Sequence, residues 1–142
     1  MSATTGSYMG ADAMVTPSGD PENTESRRLI SADKVEGTAV YNREGERLGT
    51  VEDIMLDKVS GKVAFAVMSF GGFLGIGEKY HPLPWATLSY DVQQGGYVVD
   101  MTREQLEGAP SYGVDENVDL NDDSYGRRVY DYYKAPYWNA GI

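Results

Sequence analysis

One histidine and no cysteine bound the chemistry open to this 142-residue chain. Without thiols it has no disulfide framework, no cysteine nucleophile, and no zinc-thiolate or iron-sulfur site. Any imidazole-dependent catalysis falls to His81, in the step Tyr80-His81-Pro82 at the end of an expected strand. Ser69, Ser89 or Asp91 would have to be carried to it by the fold. No Gly-x-Ser-x-Gly nucleophile elbow is present, so His81 reads as a structural or surface histidine.

Three other stretches invite a chemical reading. Gly71-Gly72-Phe73-Leu74-Gly75-Ile76-Gly77 has the glycine density of a phosphate loop. A strand-like segment follows it, where a phosphate site needs a helix N-terminus, and no Gly-Lys-Ser/Thr step occurs. A hairpin loop with several positive φ angles fits better. Its apolar Phe73, Leu74 and Ile76 then either fold over the end of the domain or form a contact patch. The acidic run from Asp115 through Asp119 to Asp123 resembles a calcium loop in composition. Counted from Asp119, Ser124 stands where the obligatory glycine belongs and Tyr130 where the bidentate glutamate belongs, which favours a solvated acidic linker. Glu52 and Asp53 are adjacent in an expected strand and should point to opposite faces, as surface charges rather than a catalytic pair. Trp85 after Pro84 reads as a core aromatic. Arg27-Arg28 and Arg127-Arg128 are expected to bridge to acidic neighbours. No cofactor or metal is expected.

Composition narrows the partners. Twenty-two acids against twelve bases give a net charge of −10, which works against nucleic-acid binding and favours basic protein partners. The acidity is spread through the arm, the central segment and the tail, and none of these is basic. No window approaches the roughly 18 apolar residues of a membrane span, and no apolar signal region precedes Arg27. These features predict a soluble, cytoplasmic chain with no direct membrane insertion.

The elements that must position these residues follow from periodicity. Residues 1–28 are rich in Ser, Thr, Gly, Asp and Pro without period, and are expected to form a disordered arm. Residues 29–110 hold short Val-, Ile-, Phe- and Tyr-rich runs between glycine turns. These predict strands over 38–42, 47–57, 62–70, 78–83, 88–92 and 97–101. Within the third, Val63, Phe65 and Val67 alternate with Ala64 and Ala66; Pro82 and Pro84 push the fourth toward an edge. Ser31 is expected to cap a turn over 32–36, and Thr102 with Gln105 a short helix stopped by Gly108. Residues 111–142 carry six of the eleven tyrosines, too many for a purely solvating tail. Tyr125, Val129 and Tyr132 or Tyr133 are spaced to share one face of a docked helix.

Leu29-Ile30-Ser31-Ala32-Asp33-Lys34-Val35, Gly37-Thr38-Ala39-Val40-Tyr41-Asn42, Glu46-Arg47-Leu48-Gly49-Thr50-Val51-Glu52-Asp53, Phe70 through Tyr80, Pro84-Trp85 and Thr102 through Pro110 closely resemble the PRC-barrel family. The resemblance covers residues 29–110, and the tyrosine-rich end is also similar to stand-alone bacterial members. It implies an all-β fold, a small six-stranded β-barrel with short flanking helices and a tyrosine-rich C-terminal extension. This is the module of the photosynthetic reaction-centre H subunit and of the ribosome maturation factor RimM, where it makes protein contacts and has no known active site. Neither the membrane helix of the one nor the N-terminal domain of the other is expected in this chain. The expectation is therefore a non-enzymatic interaction or scaffold protein that self-associates, as a homodimer, through Phe73, Leu74, Ile76, Tyr132, Tyr133, Tyr137 and Trp138. Alternatives are a ribosome-assembly accessory holding a basic ribosomal protein, or an accessory to a membrane photosynthetic or electron-transfer complex.

Overall fold

The computed structural model describes residues 28–71 and 77–139. The chain divides into Met1–Ile30, of which only the last three residues are described, and Ser31–Ile142. The second unit contains helix α1 (Ala32–Val35), strands β1 (Ala39–Tyr41), β2 (Arg47–Leu56), β3 (Val63–Phe70) and β4 (Lys79–Pro84), and a single 3-10 turn at Trp85–Thr87. Strands β5 (Leu88–Asp91) and β6 (Gly96–Val99), helix α2 (Arg103–Glu107), strand β7 (Tyr112–Gly113) and helix α3 (Asp123–Tyr132) follow.

All seven strands join one sheet in the order β5-β6-β1-β2-β3-β4-β7. Every pairing is antiparallel except β1 with β6. The expected count of six is corrected to seven. Tyr112 and Gly113 pair with Tyr80 and Lys79, and the Tyr112 ring meets Tyr80 edge-to-face at 5.7 Å. The sheet is open in its ladder, with β5 and β7 as its ends.

Two close approaches explain glycines in these strands. A Cβ on Gly49 would lie 1.9 Å from the Ser69 carbonyl oxygen, and one on Gly96 2.6 Å from that of Ala39. Strands β2 with β3, and β6 with β1, therefore come together only because these residues have no side chain.

The main core gathers Val40, Leu48, Val51, Ala66, Met68, Phe70, Leu83, Val99 and Leu106. Trp85 packs against it, edge-on to Tyr97 at 5.5 Å. Strand β3 is buried almost throughout, from Ala64 to Phe70, because it is covered on both sides. Ala66, Met68 and Phe70 face the main core, while Ala64 and Phe65 face a second cluster built by α3 and the segment after it.

Polar links fix α2 and the first hairpin. Thr102 accepts from the Gln105 amide at 3.0 Å, and the Gln105 side chain accepts from the Thr102 amide at 2.8 Å, the expected reciprocal cap. Arg103 donates to Glu46 at 2.8 Å, and Glu46 also accepts from buried Asn42 at 2.9 Å. Those two hydrogen bonds, Arg103 first, hold the Glu46 carboxyl below its ordinary pKa. Among the described residues no helix is long and apolar enough to cross a membrane.

Candidate interaction surface

Helix α3 begins where Asp122 accepts from the Ser124 amide at 2.9 Å, removing one unpaired donor of the first turn. Its inner face is Gly126, Val129 and Tyr130, flanked by half-buried Tyr125 and Tyr133. Tyr130 stands edge-on to Phe65 at 5.4 Å, and its hydroxyl donates to the Ala64 carbonyl. Tyr132 is 38% exposed but donates to the Gln105 carbonyl at 2.6 Å, joining α3 to α2. Burial pushes the Tyr130 and Tyr133 phenols well above their ordinary pKa.

The helix ends by reversing the chain. Lys134 adopts φ 56°; its amide donates to Asp131 at 3.1 Å and the Ala135 amide to Tyr130 at 3.0 Å. That is the double closure of a Schellman end, with lysine where glycine is favoured. The reversal returns Tyr137 along α3. Tyr137 meets the Tyr130 ring at 5.1 Å, donates to Asp123 at 3.1 Å and lies under the Arg127 guanidinium at 4.3 Å. Gly126 makes room, since a Cβ there would lie 2.7 Å from the Tyr137 hydroxyl. The aromatic tail thus docks on its own chain.

A groove of about 350 Å³ opens between the β2–β3 hairpin and this returning segment, floored by Met55, Phe65, Tyr137 and Trp138. Leu56 lines it and is 52% exposed. In the adjoining turn Val59 is 91% exposed. Gly61, at φ 81°, donates to the Asp57 carbonyl at 2.8 Å, and Ser60 to the Asp57 side chain at 2.8 Å. A closed turn therefore presents Val59 to solvent.

Of the contact residues singled out from sequence, only Tyr132, Tyr133, Tyr137 and Trp138 are among the described residues. Phe73, Leu74 and Ile76 lie outside the described residues. Tyr137 and Trp138 pack near Ala64 and Phe65. Tyr133 touches both clusters. Tyr130, fully buried, was not anticipated; with Gly126 beside it, the buried face is wider than the spacing of Tyr125 and Val129 implies.

His81 is 2% exposed, and neither ring nitrogen has a hydrogen-bond partner. It packs edge-on to Phe70 at 5.1 Å. Burial lowers its pKa, against the smaller opposing effect of the Leu106 and Lys79 carbonyls. Asp91 is engaged in its own turn, accepting from the Gln93 amide and the Gln94 side chain. Asp119 likewise accepts from Asn121, and among the described residues no three acidic or histidine side chains form a metal-ligand set. Arg127 pairs with Asp123 at 3.8 Å, while Arg128 stacks over Tyr125 at 5.0 Å.

Glu52 and Asp53 are exposed surface charges, as expected, but the expected alternation of their faces is corrected. Val51 pairs with Met68 but Asp53 with Val67, so Glu52 is the extra residue of a β-bulge. The bulge breaks the alternation of faces, and Glu52 and Asp53 line the same groove.

The chain is 24% identical over 80 residues to an uncharacterized protein of Deinococcus radiodurans, covering 56% of this chain and 28% of that protein. It therefore spans well under a third of that relative's length. Among solved structures, a Pseudomonas aeruginosa protein described as the 16S ribosomal RNA processing protein RimM aligns with 63% of this chain and 50% of its own, at 18% identity and a TM-score of 0.34. The family model described as the PRC-barrel domain matches residues 28–106, more than half the chain, and the chain belongs to that family.

Proposed function

We propose that the chain is a protein-contact module without catalysis of its own, and that it associates with itself as a homodimer. The observation that carries this reading is the β2–β3 turn: a hydrogen-bonded loop holds Val59 in water, next to exposed Leu56 at the end of β2 and a groove lined by Met55, Phe65, Tyr137 and Trp138. Apolar side chains on a turn already closed lose little entropy on contact, so their burial contributes to association. Trp138 and Tyr137 supply aromatic surface of the kind enriched where proteins meet. The loop of Phe73, Leu74 and Ile76 serves as a second apolar contact. Cytoplasmic residence fits this role.

Crosslinking tests it. Isotope-labelled and unlabelled chains are mixed and treated with a lysine-reactive crosslinker; Lys58 and Lys62 flank Val59 in the turn. Mixed-label crosslinks at these lysines, lost in Val59→Asp, are expected. Absence of mixed-label products at every lysine overturns self-association.

A further inference from the structure

A second groove of about 340 Å³, lined in part by the bulge at Glu52, shares Met55, Leu120 and Asn121 with the first. Its floor is apolar and aromatic: Val67, Leu120, and Tyr80 with Tyr112. Its rim carries Glu52, Asp53 and Asp119, and no lysine or arginine lines it. Among the described residues none of these three carboxylates has a Lys or Arg within ion-pair distance. Arg127 is engaged by Asp123 and Tyr137, and Arg128 by Tyr125. A groove of mixed polar and apolar lining is thus rimmed by carboxylates that have no ion-pair partner among the described residues.

We propose that this groove receives an arginine side chain presented by a basic segment of a partner protein. The assignment rests on reading the chain as a contact module and names the chemistry of one partner. The carboxylates do not converge as a metal-ligand set; they are spread around a slot, which suits an extended organic cation. Arginine fits both parts of that slot. Its methylene stem is apolar, and its planar guanidinium stacks on aromatic rings and bonds two carboxylates at once. The edge-to-face pair Tyr80 and Tyr112 supplies the rings. A second copy suits this groove poorly, because each chain carries a net charge of −10 and two acidic faces repel.

The test is calorimetric titration of the full chain with acetyl-Leu-Arg-Leu-Arg-Leu-amide, and with the same peptide carrying neutral citrulline for arginine. The arginine peptide binds, and citrulline weakens it by about tenfold or more, as expected for losing charge-assisted hydrogen bonds. Glu52→Gln with Asp53→Asn also weakens binding by about tenfold. Glu36→Gln with Glu104→Gln removes the same net charge elsewhere and leaves affinity within about twofold, as distant exposed charges are screened. Asp119→Asn repeats the loss if the first pair lowers the melting temperature. No binding of the arginine peptide, equal binding of the citrulline peptide, or equal weakening by the two charge-matched pairs overturns the groove assignment. Sedimentation of the same samples reads self-association separately, so failure here is distinguishable from failure of the contact-module reading.

Discussion

Tyr130 donates its hydroxyl to the carbonyl of Ala64, and Ala64 is the one residue of its strand segment without a register partner on either side. Met55 pairs with Phe65 and Leu56 with Val63, so the β2–β3 ladder steps over Ala64, while the β3–β4 ladder begins only at Phe65. The side chain of a helix 66 residues away thus meets a carbonyl at a gap in the sheet. The C-terminal segment is structurally part of the sheet domain.

Tyr130→Phe keeps the ring against Phe65 and removes the donor. A buried acceptor left unpaired costs about 1–3 kcal/mol, and urea denaturation should show that loss with an unchanged slope. Tyr130→Ala also leaves a cavity and should cost about 3–5 kcal/mol. Equal stability of Tyr130→Phe and the parent chain would mean that the hydroxyl contributes nothing to docking.

Gly126→Ala sets two effects against each other. Helix propensity favours alanine by about 1 kcal/mol, but its Cβ would lie 2.7 Å from the Tyr137 hydroxyl and 3.4 Å from Phe65. Crowding should win in the parent chain and lower the melting temperature. In a Tyr137→Ala background the same change should become neutral or stabilising, a coupling read by a double-mutant cycle. Identical effects in both backgrounds would show that Tyr137 does not pack on the helix.

Lys134 pays for a left-handed φ of 56° that glycine adopts freely. Lys134→Gly should stabilise by about 0.5–1 kcal/mol, the relief of αL strain less the entropy that glycine adds to the unfolded chain. A higher urea midpoint with unchanged slope is the expected reading; a lower midpoint would place the chain reversal elsewhere.

Buried His81 should make stability depend on pH in one direction. Its pKa is lowered in the folded state by burial, so the unfolded chain binds the proton more readily, and stability falls as pH drops below the unfolded value of about 6.5. The stabilisation is complete above that value and is lost as pH descends toward the folded pKa. Melting curves between about pH 7.5 and 5.5, compared with His81→Leu, should show a decline in the parent that is largely absent from the variant. Parallel pH profiles would contradict the burial of an unpaired imidazole.

Strands β1 to β6 were legible because their apolar alternation is bounded by glycine turns, and α2 because Thr102 and Gln105 stand at capping distance. Strand β7 was not, since two residues carry no period and Tyr112 is held by a distant partner, Tyr80. The alternation expected in β3 breaks at Ala64, where the ladder is irregular, and Ala64 and Phe65 both join the cluster that α3 covers. The groove of Glu52 and Asp53 was illegible for a sharper reason. Strict alternation sends them to opposite faces, and only the ladder reveals the bulge at Glu52, beside which both line one groove.

Sedimentation velocity over a concentration series tests the central claim most directly. A contact module that pairs through the β2–β3 turn should show a species of twice the 15.6 kDa chain mass that dissociates on dilution. Val59→Asp should shift it to monomer without lowering the melting temperature. A single 15.6 kDa species at every concentration, unchanged by Val59→Asp, would contradict it.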